Sequence, residues 1–280
     1  MVTIVADTTS SLPKTRFPEL GIPLLPQIII FGDKEYRDDT ELDTNAFLQK
    51  LRSSDSLPKT AAPAPALYEP IYKKYTKDGG SVIVIVPSAE LSGTFRAATI
   101  AAEDFPHADI RVIDTRTVAG GLGMIVLQAQ KWANEGLDVD EVERRILNLA
   151  GREHVYFLVD TLEYLRKGGR IGGAQAMVGS ILQVKPILTI KNGKAEPADS
   201  QRTKKKALAR LIEIVSADCP RDQSSLISVM HCDAEVDAQD LKNKLVETLG
   251  IVDIPIYELP PAIVVHVGPK ALAISYFLKE

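Results

Sequence analysis

An apolar run from Val82 to Val86 breaks into the polar loop Pro87 to Leu91, and Ser92-Gly93-Thr94 then opens a helical pattern that reaches Glu103. Ser92 stands where an N-cap is expected. The first amides of a helix lack intrahelical acceptors, and the macrodipole leaves them partly positive. An anion bound there needs no further positive charge, and Gly93 would let it approach the backbone closely. The same residues also read as a plain helix cap, since serine is common at that position.

Other segments carry polar side chains at comparable places. Thr60 precedes a proline-rich turn in KTAAPAPALYEP, where Pro65 suits a first helical position. Asp7-Thr8-Thr9-Ser10 and Asp114-Thr115 fall at strand ends, where capping the following helix is their expected role. Loops at the C-terminal ends of strands in an open α/β sheet are where ligands usually sit. LRKGGRIGG gathers Arg166, Lys167 and Arg170 around glycines, and QRTKKKALAR adds Arg202 beside a lysine run; basic runs of this kind are usually solvated faces. His266 lies in the apolar segment PAIVVHVGPKAL, and His107, His154 and His231 show no ligand spacing with it, so no metal is implied. No G-x-S-x-G elbow supports a hydrolase triad. TVAGGLG lacks the third glycine of a dinucleotide fingerprint, where Val126 stands; close helix packing explains its glycines better.

The elements that position these residues change character near residue 150. Before it, apolar runs at Val2–Ala6, Ile22–Phe31, Ser81–Val86 and Ile110–Ile113 read as strands buried on both faces. Helical patterns follow Asp7, Ser92 and Val118, which favours a parallel sheet. Residues 32–60 read as a polar excursion around one short helix. After residue 150, strands are expected at 155–159, 184–190, 195–200, 226–231, 254–259, 262–267 and 272–277, with helices near 161–167, 203–216 and 235–248. Asn192-Gly193 signals a hairpin. The expectation is α/β overall: a Rossmann-like parallel-sheet domain over residues 1–150, then an α+β domain with a largely antiparallel sheet over residues 151–280.

With 280 residues, the chain exceeds a single average domain of roughly 150 residues. Hydrophobic residues make up 45% and charged residues 25%, as in ordinary globular proteins, and a net charge of −4 argues against nucleic acid as a partner. Cys219 and Cys232 fit no metal or redox spacing, which suggests a reducing compartment. The start MVTIVADTTSS is too polar for a signal peptide, and no apolar stretch reaches the ~18 residues of a membrane span. A cytoplasmic protein without membrane insertion is expected.

Seven segments in order, VADTTSSLP, Lys59-Thr60 with Pro63, LSGTFRAA, VIDTRTVAGGLG, LEYLRKGGRIGG, ILQVKPIL and VVHVGPKALAISY, together resemble the DegV family. Its members are fatty-acid-binding proteins that act as the lipid-carrying subunit of bacterial fatty acid kinase. The resemblance implies a long acyl chain buried between the two domains, no cofactor, and no turnover without the kinase catalytic subunit. It implies a carboxylate held by a Thr and by a Ser of a Ser-Gly-Thr turn, here Thr60 and Ser92, with Gly93 and Thr94 beside them. Arg170, Arg202 and His266 map to basic and imidazole groups near the carboxylate, near its phosphorylated product, or against the kinase subunit.

This chain departs from the family pattern at two places. Ala61-Ala62-Pro63-Ala64 replaces the usual Ser-x-Pro-Ser, and Gly172 replaces the serine of GRIS. A lost serine cap at position 64 costs about 1 kcal/mol. Two rival readings stand beside the carrier: a free-standing phosphotransferase or hydrolase with Ser92 as nucleophile and His266 as base, and a ligand-sensing regulatory module.

Overall fold

The computed structural model describes residues 1–178 and 184–280. The first half holds β1 (Val2–Asp7), α1 (Arg16–Leu20), β2 (Leu24–Leu25), β3 (Ile28–Phe31), β4 (Lys34–Arg37), α2 (Thr44–Ser53), β5 (Lys59–Ala61), α3 (Glu69–Thr76), β6 (Ser81–Val86), α4 (Thr94–Glu103), β7 (Asp109–Asp114), α5 (Gly120–Asn134) and α6 (Val139–Ala150). Strands β2-β1-β6-β7 form a parallel sheet. Its alternating residues face two helical layers: Val5, Val82 and Val84 pack with Tyr68, Tyr72 and Ala98, while Ile4, Ala6, Ile83 and Ile85 pack with Leu122, Ile125 and Ala129. Coverage of both faces explains why these strands read as continuous apolar runs.

The expected single strand Ile22–Phe31 is instead two strands in different sheets. Pro26 supplies no backbone N–H, so the ladder breaks there. β2 stays with β1, and β3 joins β4 and β5 in a small antiparallel sheet. Gln27 is left at the corner, buried. The helix expected directly after Asp7 is also corrected: a three-residue turn, Thr8–Ser10, ends at Ser11 in the left-handed region, and α1 begins only at Arg16. The helix start expected at Pro65 is a three-residue turn, Pro65–Leu67, and α3 begins at Glu69; α6 has no counterpart among the expected helices, although Val142, Ile146 and Leu149 bury one of its faces at helical spacing.

The second half holds β8 (Glu153–Leu158), α7 (Glu163–Lys167), β9 (Lys185–Lys191), β10 (Lys194–Gln201), α8 (Lys204–Asp218), β11 (Ser228–His231), α9 (Glu235–Leu249), β12 (Ile256–Glu258), α10 (Pro261–Val267) and β13 (Leu272–Phe277). The sheet order is β10-β9-β8-β13-β11-β12, antiparallel except between β11 and β12. The hairpin turn falls at Asn192-Gly193, both with positive φ, as a type I′ turn requires. Ile181, Leu182 and Gln183 of the ILQVKPIL segment lie outside the described residues.

One expected strand is a helix. Ala262–Val267 belongs to α10, although Ile263, Val264 and Val265 favour strands. Pro260-Pro261 starts it, because a proline at the first helical position sacrifices no hydrogen bond and presets φ.

Helix α5 lies between the two large sheets, and its glycines allow the approach. A Cβ at Gly120 would sit 2.3 Å from the Met230 sulfur, and one at Gly123 would sit 2.5 Å from the Ser10 carbonyl oxygen. A shared core then runs from Ile83 and Ile85 through α5 to Val155, Phe157 and Ala273.

Candidate functional site

The cavity between the sheets opens where the parallel strands end. Thr9, Gln27, Pro87 and Ala119 come from loops following that sheet's strands, and Val155, Phe157, Leu272 and Ala273 form the opposite wall. Ala262, Ile263 and Val267 of α10 cover it. The cavity volume is about 110 Å³, against the roughly 10–15 Å³ that one water needs. The void thus exceeds several waters, yet its walls offer water few partners.

Polar groups gather at one end. Thr60 sits on β5 opposite Ile29, and its Oγ1 lies 2.9 Å from Nε2 of His266 on α10. Burial, aided by the Arg170 charge, lowers the His266 pKa to about 4, so the ring is neutral near pH 7. Nδ1 is buried without a partner among the described residues. We therefore assign the ring proton to Nε2, because a buried unpaired N–H is costlier than an unpaired lone pair. Nε2 then donates to Thr60 and leaves the threonine proton free for a ligand.

Ser92 lines the same end from the loop before α4. The structure corrects its expected capping role: Gly93 is the N-cap, and Ser92 lies one residue further out. Its Oγ still takes the Thr94 amide at 3.3 Å and lies 2.8 Å from the Thr94 hydroxyl. Gly93 is exposed, and Thr94 is fully buried behind Ser92.

Arg170 also reaches this end, but its guanidinium is engaged with backbone oxygens: Nε donates to Leu91 at 2.9 Å and Nη1 to Gly168 at 2.8 Å. It fastens the loop carrying Ser92 to the end of α7. Outside lies a second, more polar cleft of about 640 Å³ that shares Thr60, Arg170 and His266 with the inner cavity and adds Lys59 and Lys167. Arg202 does not join either space; it is exposed between β10 and α8.

Behind the hydroxyls lies a buried polar layer in which Gln27 and Asp38 have no counterpart among the residues picked from the sequence. Gln27 donates from Nε2 to the Thr94 hydroxyl at 3.0 Å, and its backbone N–H donates to Asp38 at 2.8 Å. Asp38 returns its own N–H to the Gln27 carbonyl at 3.1 Å and accepts from Thr8. Asp7 caps the following turn through the Thr9 N–H and hydroxyl. Burial raises Asp7 to about 6 and Asp38 to about 7, the neighbouring Asp7 charge adding to the latter. The available signal was a lone amide in the apolar run LLPQIII.

The architecture defines the class: a parallel sheet facing an antiparallel one across an apolar cavity with a hydroxyl-lined end. A family model described as "Uncharacterised protein, DegV family" matches residues 1–279, and the chain belongs to the DegV family. It is 38% identical over 275 residues to a DegV domain-containing protein of Streptomyces coelicolor, covering 98% of this chain and 97% of the relative. It is similar to a fatty-acid-binding DegV family protein of Thermus thermophilus, with 31% identity, a TM-score of 0.89 and 99% of each chain covered. It is similar also to Bacillus subtilis DegV, described as a fatty acid binding protein, with 28% identity, a TM-score of 0.88 and 99% of each chain covered. Among the described residues, no helix is long and apolar enough to cross a membrane.

Proposed function

We propose that this protein binds one long-chain fatty acid in the cytoplasm, burying the tail between a domain of residues 1–150 and a domain of residues 151–280. The observation that carries this reading is the apolar cavity with the Thr60 and Ser92 hydroxyls at one end. At roughly 0.8 kcal/mol per methylene, about 14 buried methylenes offer on the order of 11 kcal/mol before ordering costs. The tail supplies affinity, and the hydroxyls supply orientation.

The carboxylate then faces the outer cleft, where a separate kinase subunit would deliver phosphate. A carboxylate oxygen attacks the γ-phosphorus of ATP, the bond to the bridging oxygen breaks, and ADP leaves while acyl phosphate forms. Neutral donors suit this step, since a buried ion pair would hold the oxygen and lower its basicity. Arg170, already occupied by two carbonyls, steadies the loop and adds positive potential. Exposed Arg202 is assigned to the kinase interface rather than to the carboxylate.

The bonding pattern also bears on the hydrolase rival. A Ser nucleophile needs its base within hydrogen-bond reach, whereas His266 Nε2 is bonded to Thr60 and Ser92 to Thr94.

Mass spectrometry of an organic extract from natively purified protein tests the ligand, and a long-chain fatty acid is the expected species. Adding ATP and a fatty acid kinase catalytic subunit should yield acyl phosphate. Lipid present without acyl phosphate would favour a sensor, and ATP turnover by the isolated chain would overturn the carrier.

A further inference from the structure

The buried layer behind Ser92 determines which kind of head group the site accepts. A serine hydroxyl has one proton and two lone pairs. Thr94 reaches the Ser92 oxygen from two directions, with its backbone N–H at 3.3 Å and its hydroxyl at 2.8 Å. The amide is a donor by nature, so one lone pair of Ser92 is taken.

The direction of the second bond follows from Gln27. Its Nε2, a donor only, lies 3.0 Å from the Thr94 hydroxyl oxygen, which must accept there. Thr94 is 0% exposed, and Ser92 is the remaining hydrogen-bond partner of its hydroxyl among the described residues. Were Ser92 the donor, the Thr94 proton would be buried unpaired, at a cost of roughly 1–3 kcal/mol. The proton of Thr94 therefore goes to Ser92 and fills its second lone pair.

We infer that Thr94, held by Gln27, is a positioning residue that saturates both lone pairs of Ser92 and leaves it a donor only, so that the site selects head groups that accept and rejects head groups that donate. An ionised carboxylate presents acceptors alone. A primary carboxamide of the same shape must turn either its NH2 or its oxygen towards each hydroxyl, and the NH2 finds no acceptor at Ser92. At Thr60, His266 fills one lone pair of the hydroxyl and leaves the other open, so the selection against a donor rests on Ser92. Thr94 itself lies outside the cavity lining and acts through Ser92.

This inference rests on the fatty-acid reading. The test compares hexadecanoic acid with hexadecanamide at pH 8, each displacing a fluorescent fatty acid from the full chain. The wild-type protein should prefer the acid by roughly 10- to 100-fold, the range spanned by a hydrogen bond to a charged group. Thr94→Val frees one lone pair of Ser92, so amide affinity should rise and the preference should narrow by about tenfold. Thr94→Ser, which restores the donor, should return the wild-type ratio. Thr94→Ala carries the same expectation as the valine variant if that chain does not fold. An unchanged ratio in the valine or alanine variant, or an equal weakening of both ligands, overturns the positioning role while leaving the fatty-acid reading intact. No binding of the acid by the wild-type protein defeats both readings at once.

Discussion

Thr60 and His266 stand 206 positions apart in the chain and share a 2.9 Å hydrogen bond at the polar end of the cavity. The bond crosses from the small antiparallel sheet to the helix that covers the cavity, so one contact both closes the cavity and fixes the Thr60 hydroxyl at its end. With Nε2 as the donor, His266→Gln, which keeps a neutral N–H donor, should retain most affinity for hexadecanoic acid. His266→Leu should lose about 3- to 10-fold, the worth of an ordinary hydrogen bond. Thr60→Ala and Ser92→Ala should weaken capture further while leaving circular dichroism unchanged; equal affinity in all four variants would remove these residues from the site.

The same histidine sets a pH signature. Its folded pKa, about 4, lies below the ordinary value of 6.5, so its contribution to stability is present above pH 6.5 and is lost as pH falls through 4. His266→Gln should flatten that part of a denaturation profile. A profile with the same acid slope as wild type would contradict the burial of a neutral ring.

Asp38 has the opposite sign. Its pKa is raised from 3.8 to about 7, so the unfolded chain ionises it first. Its effect on stability is most favourable below pH 3.8 and declines as pH rises to about 7. Asp38→Asn keeps an acceptor for the Gln27 amide but removes the titration. The urea midpoint of the variant should therefore fall less than that of wild type between pH 4 and 7, the window set by the Asp38 values.

Gly172 replaces a serine of the family pattern, but the site does not admit one. Its φ is +52°, and a Cβ would lie 2.2 Å from the Ala195 carbonyl oxygen on β10. Gly172→Ser should destabilise by about 2 kcal/mol or more, read as a lower urea midpoint. A neutral effect would mean that the backbone here relaxes freely.

Ala64 is the other departure, and here the change should help. It sits at the N-cap of the Pro65–Leu67 turn with an extended backbone and no side-chain cap. Ala64→Ser should add about 0.5–1 kcal/mol, seen as a higher melting temperature. No change would show that this turn gains nothing from a hydroxyl cap.

Local chemistry made much of the fold legible. The period-free apolar runs of β1 and β6 marked strands covered on both faces, and Asn192-Gly193 marked its hairpin because few other pairs adopt two positive φ angles. The glycines opening α5 were rightly read as packing sites. Reading failed where tertiary packing outweighed propensity. Ile263, Val264 and Val265 look like a strand, but Pro261 starts a helix there, and burial on the cavity rewards either conformation.

The site divides along the same line. Thr60, Ser92, Arg170 and His266 could be picked from the sequence by residue type, by local turn context and by resemblance, because those signals lie within a few neighbours. Their meeting depended on strand order and on α10 folding back over β5, which no short window encodes. Gln27, Asp38 and Thr94 gain their roles only from contacts across the chain, such as the 67-residue separation between Gln27 and Thr94. Sequence alone determined the donors and the apolar material; the tertiary structure decided which lone pairs are occupied, because hydrogen-bond direction is fixed by the partners that packing brings together.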